Sequence, residues 1–163
     1  MNNYQINTNW CLWYHSINDN NWKNNSYTNL YDIKDLYDLK FLNDNIQKIH
    51  LQNGMFFIMK ENIFPTWEDP DNREGCCISF KIPNYVLKEQ WELISNCVII
   101  NDILKDKNND DYLNGISISP KKEFNIIKLW LRNHDENYIN KLKQYEPFFI
   151  KEKSLIKKHE LLD

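Results

Sequence analysis

The sequence predicts an α+β fold, a curved antiparallel β-sheet with helices packed on one face. Three observations predict it. Short β-like segments alternate with longer helical ones, tight turns join neighbouring strands, and the three glycines (Gly54, Gly75, Gly115) each fall just before a proposed strand, where turn strain is relieved. Taken in order, Asn9 to His15 is aromatic-rich and reads as a strand, and Asp32 to Asn43 carries Ile33, Leu36, Tyr37 and Leu39 at helical spacing. Met55 to Lys60 reads as a buried strand, followed by a Pro-bounded loop through Trp67, and Cys76 to Ile82 as the next strand. Val86 to Lys105 is the strongest helix, with Leu87, Trp91, Ile94 and Val98 along one face. Ile116 to Ser119 and Phe124 to Arg132 form a hairpin across Pro120-Lys121-Lys122-Glu123. Tyr138 to Tyr145 reads as a third helix and Pro147 to Lys151 as a last short strand. The Asn-rich stretch 18–25 and the polar run 105–111 read as loops.

At 163 residues and 19.9 kDa the chain has room for one core, and no repeat or linker divides it. One domain over 1–163 is expected, with a short N-terminal extension over 1–8 and a tail over 151–163 that is either a closing helix or a partner segment. A net charge of −3 argues against wrapping long stretches of nucleic-acid backbone, yet leaves room for a single nucleotide in a pocket. Apolar runs such as Cys97 to Ile100 are far too short to cross a bilayer. The start, Met1-Asn2-Asn3-Tyr4, shows no secretory pattern, so a cytoplasmic protein with free thiols at Cys11, Cys76, Cys77 and Cys97 is expected. The adjacent Cys76 and Cys77 point to opposite sides of their strand, which disfavours a shared metal. The chain holds 25 Asn, 20 Ile and 18 Lys against 2 Arg and no Ala, the signature of an AT-rich genome such as that of a protist or a large DNA virus.

Catalysis is not indicated. There is no Gly-rich phosphate loop, no G-x-S-x-G, and no metal-ligand spacing among His15, His50, His134 and His159. The six tryptophans carry more information. Trp10, Trp13 and Trp91 lie inside periodic apolar patterns and read as core. Trp22 sits among asparagines and Trp67 in a polar loop, and bulky aromatics placed there point to a ligand or partner. Glu68 follows Trp67 directly. An aromatic face beside a carboxylate suits guanine, since the ring stacks while the carboxylate accepts the N1 and N2 hydrogens. A base carrying positive charge gains cation–π attraction from two indoles. Two stacks and one edge contact amount to roughly −6 to −9 kcal/mol, near micromolar affinity. A carbohydrate-binding or peptide-interaction module is the alternative from another class, with the Asn-rich loop suited to sugar hydroxyls.

The set Trp10-Cys11-Leu12-Trp13-Tyr14, Trp22, Phe64-Pro65-Thr66-Trp67-Glu68-Asp69 with Asn72 and Gly75, Trp91, Asn114-Gly115 and Ile127-Lys128-Leu129-Trp130 resembles the eukaryotic translation initiation factor 4E family, the messenger-RNA cap-binding proteins. The resemblance implies a cupped antiparallel sheet backed by three helices, with 7-methylguanosine as ligand in its concave mouth and no cofactor. By position, Trp22 and Trp67 sandwich the base, Glu68 takes its Watson–Crick edge and Trp130 touches the N7-methyl group. The family's arginine on the strand after this loop is Cys77 here. Of its two basic residues around the last hairpin, Lys121 matches the first and Ile126 stands at the second, with Lys122 or Lys128 as substitutes for the phosphates. The resemblance also implies capped messenger RNA and a scaffold subunit as partners of a monomer, the latter through a short helical peptide on the convex face. There Ile33 matches, while Tyr37, Asn96 and Ile100 replace the usual tryptophan, leucine and glycine, and Tyr4-Gln5 stands where the family has His-Pro. A recruiting factor and a cap-binding repressor or decoy both fit those departures.

Overall fold

The computed structural model describes residues 4–106 and 112–160. Seven strands form one sheet: β1 (Gln5–Ser16), β2 (Thr28–Asp35), β3 (Gly54–Lys60), β4 (Cys76–Pro83), β5 (Leu113–Pro120), β6 (Phe124–Leu131) and β7 (Ser154–Lys158). Their order is β2-β1-β3-β5-β6-β4-β7, and every pairing is antiparallel. Among the described residues four α-helices accompany them: α1 (Leu36–Asn45), α2 (Lys48–Asn53), α3 (Leu87–Ile99) and the single turn α4 (Tyr138–Lys141). The α+β class and the curved antiparallel sheet agree with the sequence reading.

Side-chain alternation sorts the sheet into two faces. Leu12, Phe56, Ile58, Cys76, Ile78, Ile116, Ile118, Ile127 and Leu129 point one way and pack with Leu39 and Leu42 of α1, Leu51 of α2, and Trp91, Ile94 and Val98 of α3. Phe57, Met59, Cys77 and Trp130 point the other way and form a small second cluster with Ile63, against which Trp13, Tyr27, Met55 and Trp67 pack. Cys76 and Cys77 thus serve opposite faces, as expected. Trp10 and Trp91 lie in the main core, but Trp13 is only half-buried and belongs to the helix-free face.

Several elements differ from the sequence reading. Residues 32–35 are strand, because Ile33 pairs with Trp10 across β1 and β2. The helix starts only where the Asp35 carboxylate accepts the Asp38 N–H at 2.8 Å, an N-cap. α3 ends at Ile99, well short of Lys105. Asn101 adopts φ 60°, and the Asp102 N–H reaches the Cys97 carbonyl at 2.7 Å, a left-handed C-terminal cap. The helix read over 138–145 closes after one turn, since Leu142 bridges Leu104 and the Lys105 and Lys143 N–H groups bond across at 2.8 Å. In place of a strand over 147–151, the chain makes a 3-10 turn over Lys151–Lys153 and then β7, which pairs with β4. The tail is therefore the edge of the sheet over the described residues, and Leu161 and Leu162 lie outside them. So do residues 1–3 of the expected extension, whose remainder contributes to β1 from Gln5 onward, and residues 107–111 of the expected loop.

Gly75 shows how tightly the loop before β4 is laid against the sheet. A Cβ there would stand 1.8 Å from the Leu131 carbonyl oxygen, a contact with backbone that no rotamer change relieves. Gly115, inside β5 instead of before it, faces the Ile58 carbonyl of β3 in the same way, at 2.5 Å. Gly75→Ala is expected to cost about 2–3 kcal/mol and lower Tm by roughly 5–10 °C. A thermal melt checks this, and a Tm within about 1 °C of wild type would show that the two backbones part freely.

Candidate functional site

The helix-free face opens into a cavity of about 320 Å³, lined by Trp22, Tyr27, Met55, Phe57, Pro65, Thr66, Trp67, Glu68, Ser117, Ser119, Lys128 and Trp130. It is smaller than a groove of about 570 Å³ beside α1 and α2, lined almost wholly by apolar groups such as Leu12, Phe41, Ile46 and Phe56. Unlike that groove, the smaller cavity combines three indole faces with a carboxylate and an amine.

The loop between β3 and β4 brings Trp67 and Glu68 to the cavity mouth, and its shape is enforced by two polar side chains. The Asp69 carboxylate accepts the Phe64 N–H and the Asp71 N–H, both at 2.9 Å. The fully buried Asn72 amide donates to the Phe64 carbonyl at 3.0 Å and the Thr66 carbonyl at 2.9 Å, holding the chain on both sides of Pro65. Asn114, at the irregularity where β5 pairs with β6, donates in turn to the Asp71 carbonyl at 2.7 Å and to Asn72 Oδ1 at 2.9 Å. This explains why Asn72 and Asn114 accompany the Trp-Glu-Asp run: buried amides satisfy carbonyls that the turn would otherwise strand away from water.

Trp22 reaches the cavity from the Asn-rich loop after β1. It remains 53% exposed, and its ring lies on the His15 imidazole with centroids 4.0 Å apart and planes within 3°. Asn21 braces this loop by local bonds, its own N–H to Asp19 Oδ1 at 2.8 Å and its Oδ1 to the Lys23 N–H at 2.9 Å. Trp130 forms part of the floor, 4% exposed, with its indole N–H donated to Ser117 Oγ at 3.0 Å. Lys128, two residues before it on the same face, stands between Ser117 of β5 and Ser79 of β4. Burial and the Glu68 charge push the Tyr27 phenol up to about 12, so it stays a neutral hydroxyl.

The structure thus brings Trp22, Trp67, Glu68, Trp130 and Lys128 to one cavity. Lys121 and Lys122 are exposed on the β5–β6 turn and line no part of it. Cys77, which the resemblance places where the family has an arginine, offers no cation. Its thiol is buried, pushed up to about 12 by desolvation, and sits 3.1 Å from His159 Nε2. On the convex face Tyr37 and Ile100 are 61% and 48% exposed, and Asn96 accepts an amide hydrogen bond from Asn43 at 2.9 Å that ties α3 to α1. Ile33, expected as an apolar contact of a docked peptide, is instead fully buried in the main core.

Sequence reading missed His15, Tyr27, Ser117 and His159. His15 lies two residues after Trp13 on β1 and so shares its face, which would have marked it as facing the cup. His159 carries no such signal, being a lone histidine in a polar tail. Among the described residues no cluster of three or more His, Cys, Asp or Glu gathers to hold a metal ion, and no helix is long and apolar enough to cross a membrane.

Solved structures with the same fold include C. elegans eIF4E-3 in complex with the 4E-binding protein Mextli, at TM-score 0.73 and 18% identity over 84% of this chain and 80% of that one. Ascaris suum eIF4E-3 with m7G cap matches at TM-score 0.73 and 20% identity, over 84% and 78%. Schistosome eIF4E with m7GpppG and 4E-BP matches at 0.73 and 15%, over 83% and 75%. Among the curated proteins no sequence match is found. The model of the family described as eukaryotic initiation factor 4E matches residues 5–155, nearly the whole chain, and with the sheet and loop geometry above it establishes that this chain belongs to the eukaryotic initiation factor 4E family.

Proposed function

We propose that this protein is a non-catalytic subunit that binds the 7-methylguanosine 5′ cap of messenger RNA in the concave cavity and recruits capped message for translation initiation in the cytoplasm. The observation that carries the reading is the convergence of two indoles from separate loops and one carboxylate on a cavity of about 320 Å³, ample for a purine base and its sugar. Structural relatives in complex with m7G cap and with m2,2,7G cap support it. In this reading Trp22 and Trp67 take the two faces of the base. Glu68 accepts from N1 and N2, and Trp130 meets the N7-methyl group on the floor. Methylation makes the base cationic, so both the indoles and Glu68 favour it over guanine itself.

The phosphates fall to lysines. Lys128 supplies the charge inside the cavity, and Lys121 and Lys122 reach the outer phosphates from the turn. With Cys77 in place of a guanidinium the grip lacks a bidentate fork and depends on point charges, which salt weakens.

The partner reading rests on the exposed Tyr37 and Ile100 and the half-buried Asn96 on the α1 and α3 side, as the contact for a short helical peptide of a scaffold subunit. Structural relatives in complex with Mextli and with 4E-BP support a peptide-binding factor. A cap-binding repressor or decoy is the second reading, favoured by the sealed Ile33 and by Tyr37 packing on Tyr4 at 4.8 Å between ring centroids.

Fluorescence titration of the wild-type protein is expected to show binding of 7-methyl-GTP near micromolar, with GTP far weaker. Trp67→Ala should lose about 10- to 100-fold, the worth of one stack. Equal affinity for GTP and 7-methyl-GTP would overturn the cap reading. Lys128→Ala should weaken 7-methyl-GTP by about fivefold while leaving 7-methylguanosine nearly unchanged. A loss common to both ligands would assign Lys128 to the base instead. For the convex face, calorimetry with a scaffold peptide separates the two roles: nanomolar binding fits recruitment, and no binding together with inhibition of cap-dependent translation fits the repressor.

A further inference from the structure

Two of the three indoles that line the cavity, Trp22 and Trp67, are each stacked on a histidine. Trp22 stacks on His15 at 4.0 Å between centroids, and Trp67 stacks on His159 at 5.2 Å with planes 16° apart. Both imidazoles are buried, at 0% and 3% exposure, and neither lines the cavity. Each also grips the backbone of a loop that shapes the site. His15 Nε2 lies 2.8 Å from the carbonyl of Asn21, the residue before Trp22. His159 Nδ1 lies 2.7 Å from the carbonyl of Asn72, the hub of the Trp67 loop.

A carbonyl only accepts, so the proton sits on His15 Nε2 and on His159 Nδ1. His159 Nε2 is then an acceptor, and the Cys77 thiol 3.1 Å away is its donor. Burial and the nearby Lys128 charge hold the imidazole below its usual range, so it stays neutral near pH 7. The residue at the position of the family's arginine is thereby committed to orienting His159. His159 also tilts against Trp130 at 5.4 Å, so one ring supports both the wall and the floor.

We propose that His15 and His159 are the positioning residues of this site, each fixing one cavity indole by a stacked face and its loop by one hydrogen bond. The proposal deepens the cap reading and rests on it for the identity of the ligand. An indole already stacked on one face loses less freedom when a base meets the other, which is where the stack gains its affinity.

The test uses the full chain labelled with 5-fluorotryptophan, each resonance assigned by a Trp→Phe exchange. In the ligand-free protein His15→Leu should shift and broaden the Trp22 signal and leave Trp67 alone. His159→Leu should move Trp67 and Trp130 and leave Trp22 alone. Against 7-methyl-GTP, both leucine variants should bind at least about fivefold more weakly, while His15→Phe and His159→Phe, which restore the ring face, recover most of the loss. Indole signals that stay put, or Leu and Phe variants of equal affinity, would overturn the proposal. If His159→Leu does not fold, the His15 pair, at an exposed indole in a separate loop, decides by the same criteria. Were the wild type to show no preference for 7-methyl-GTP, the cap reading would fall, and the ligand-free spectra would still uphold or overturn the role of the histidines.

Discussion

Two buried amides, Asn72 and Asn114, hold the site together. Without them the segment from Phe64 to Gly75 would bury several carbonyls and find no partners for them, at roughly 1–3 kcal/mol for each group left unsatisfied. With them, the loop is tied internally at Phe64 and Thr66 and externally to β5. The site is thereby coupled to the sheet: Trp67 and Glu68 stand where the pairing irregularity at Asn114 places them. The same Asn72 receives His159 through its main-chain carbonyl, so three distant stretches of the chain meet at one residue.

The sheet supports this by dividing its labour. Almost all large aliphatic side chains go to the face covered by helices, which supplies the stability. The opposite face keeps a small aromatic and sulfur-bearing cluster, enough to stiffen the cup without filling it. Serines at 117 and 119 and a lysine at 128 occupy positions where aliphatic residues would have closed the cavity. Alternation alone produces both surfaces from strands such as Phe56-Phe57-Ile58-Met59, apolar on each side.

Much of this was legible in the amino-acid sequence. β3, β4 and the β5–β6 hairpin stand out because β-branched and aromatic residues cluster between turn formers. The Trp-Glu-Asp loop stands out because a large ring in a polar segment demands a reason. Boundaries set by single capping or bridging contacts were hidden. Asp35 could as well lie within a helix as cap one, and Asn101 gives no warning that it will turn left-handed. β7 is the plainest loss: Leu155 is 67% exposed and Ile156 only half-buried, so its strand character comes from pairing with β4 and not from its own composition. His159 was illegible for the same reason, since its hydrogen-bond partners lie more than eighty residues away.

Over the described residues β2 and β7 form the two edges of the open sheet, and the one formed by β7 needs guarding. An uncovered strand edge is a template for a second molecule, and Leu155 adds an apolar invitation. Lys157 and Lys158 lie on β7 itself, and Lys151 and Lys153 in the turn that feeds it, all exposed. Lys151, Lys153, Lys157 and Lys158 outnumber the neighbouring Glu152 and Glu160, so two such edges brought together would repel. The lysines of this strand and its turn thus have a second consequence besides their place in the sheet: they work against edge-to-edge pairing of two copies.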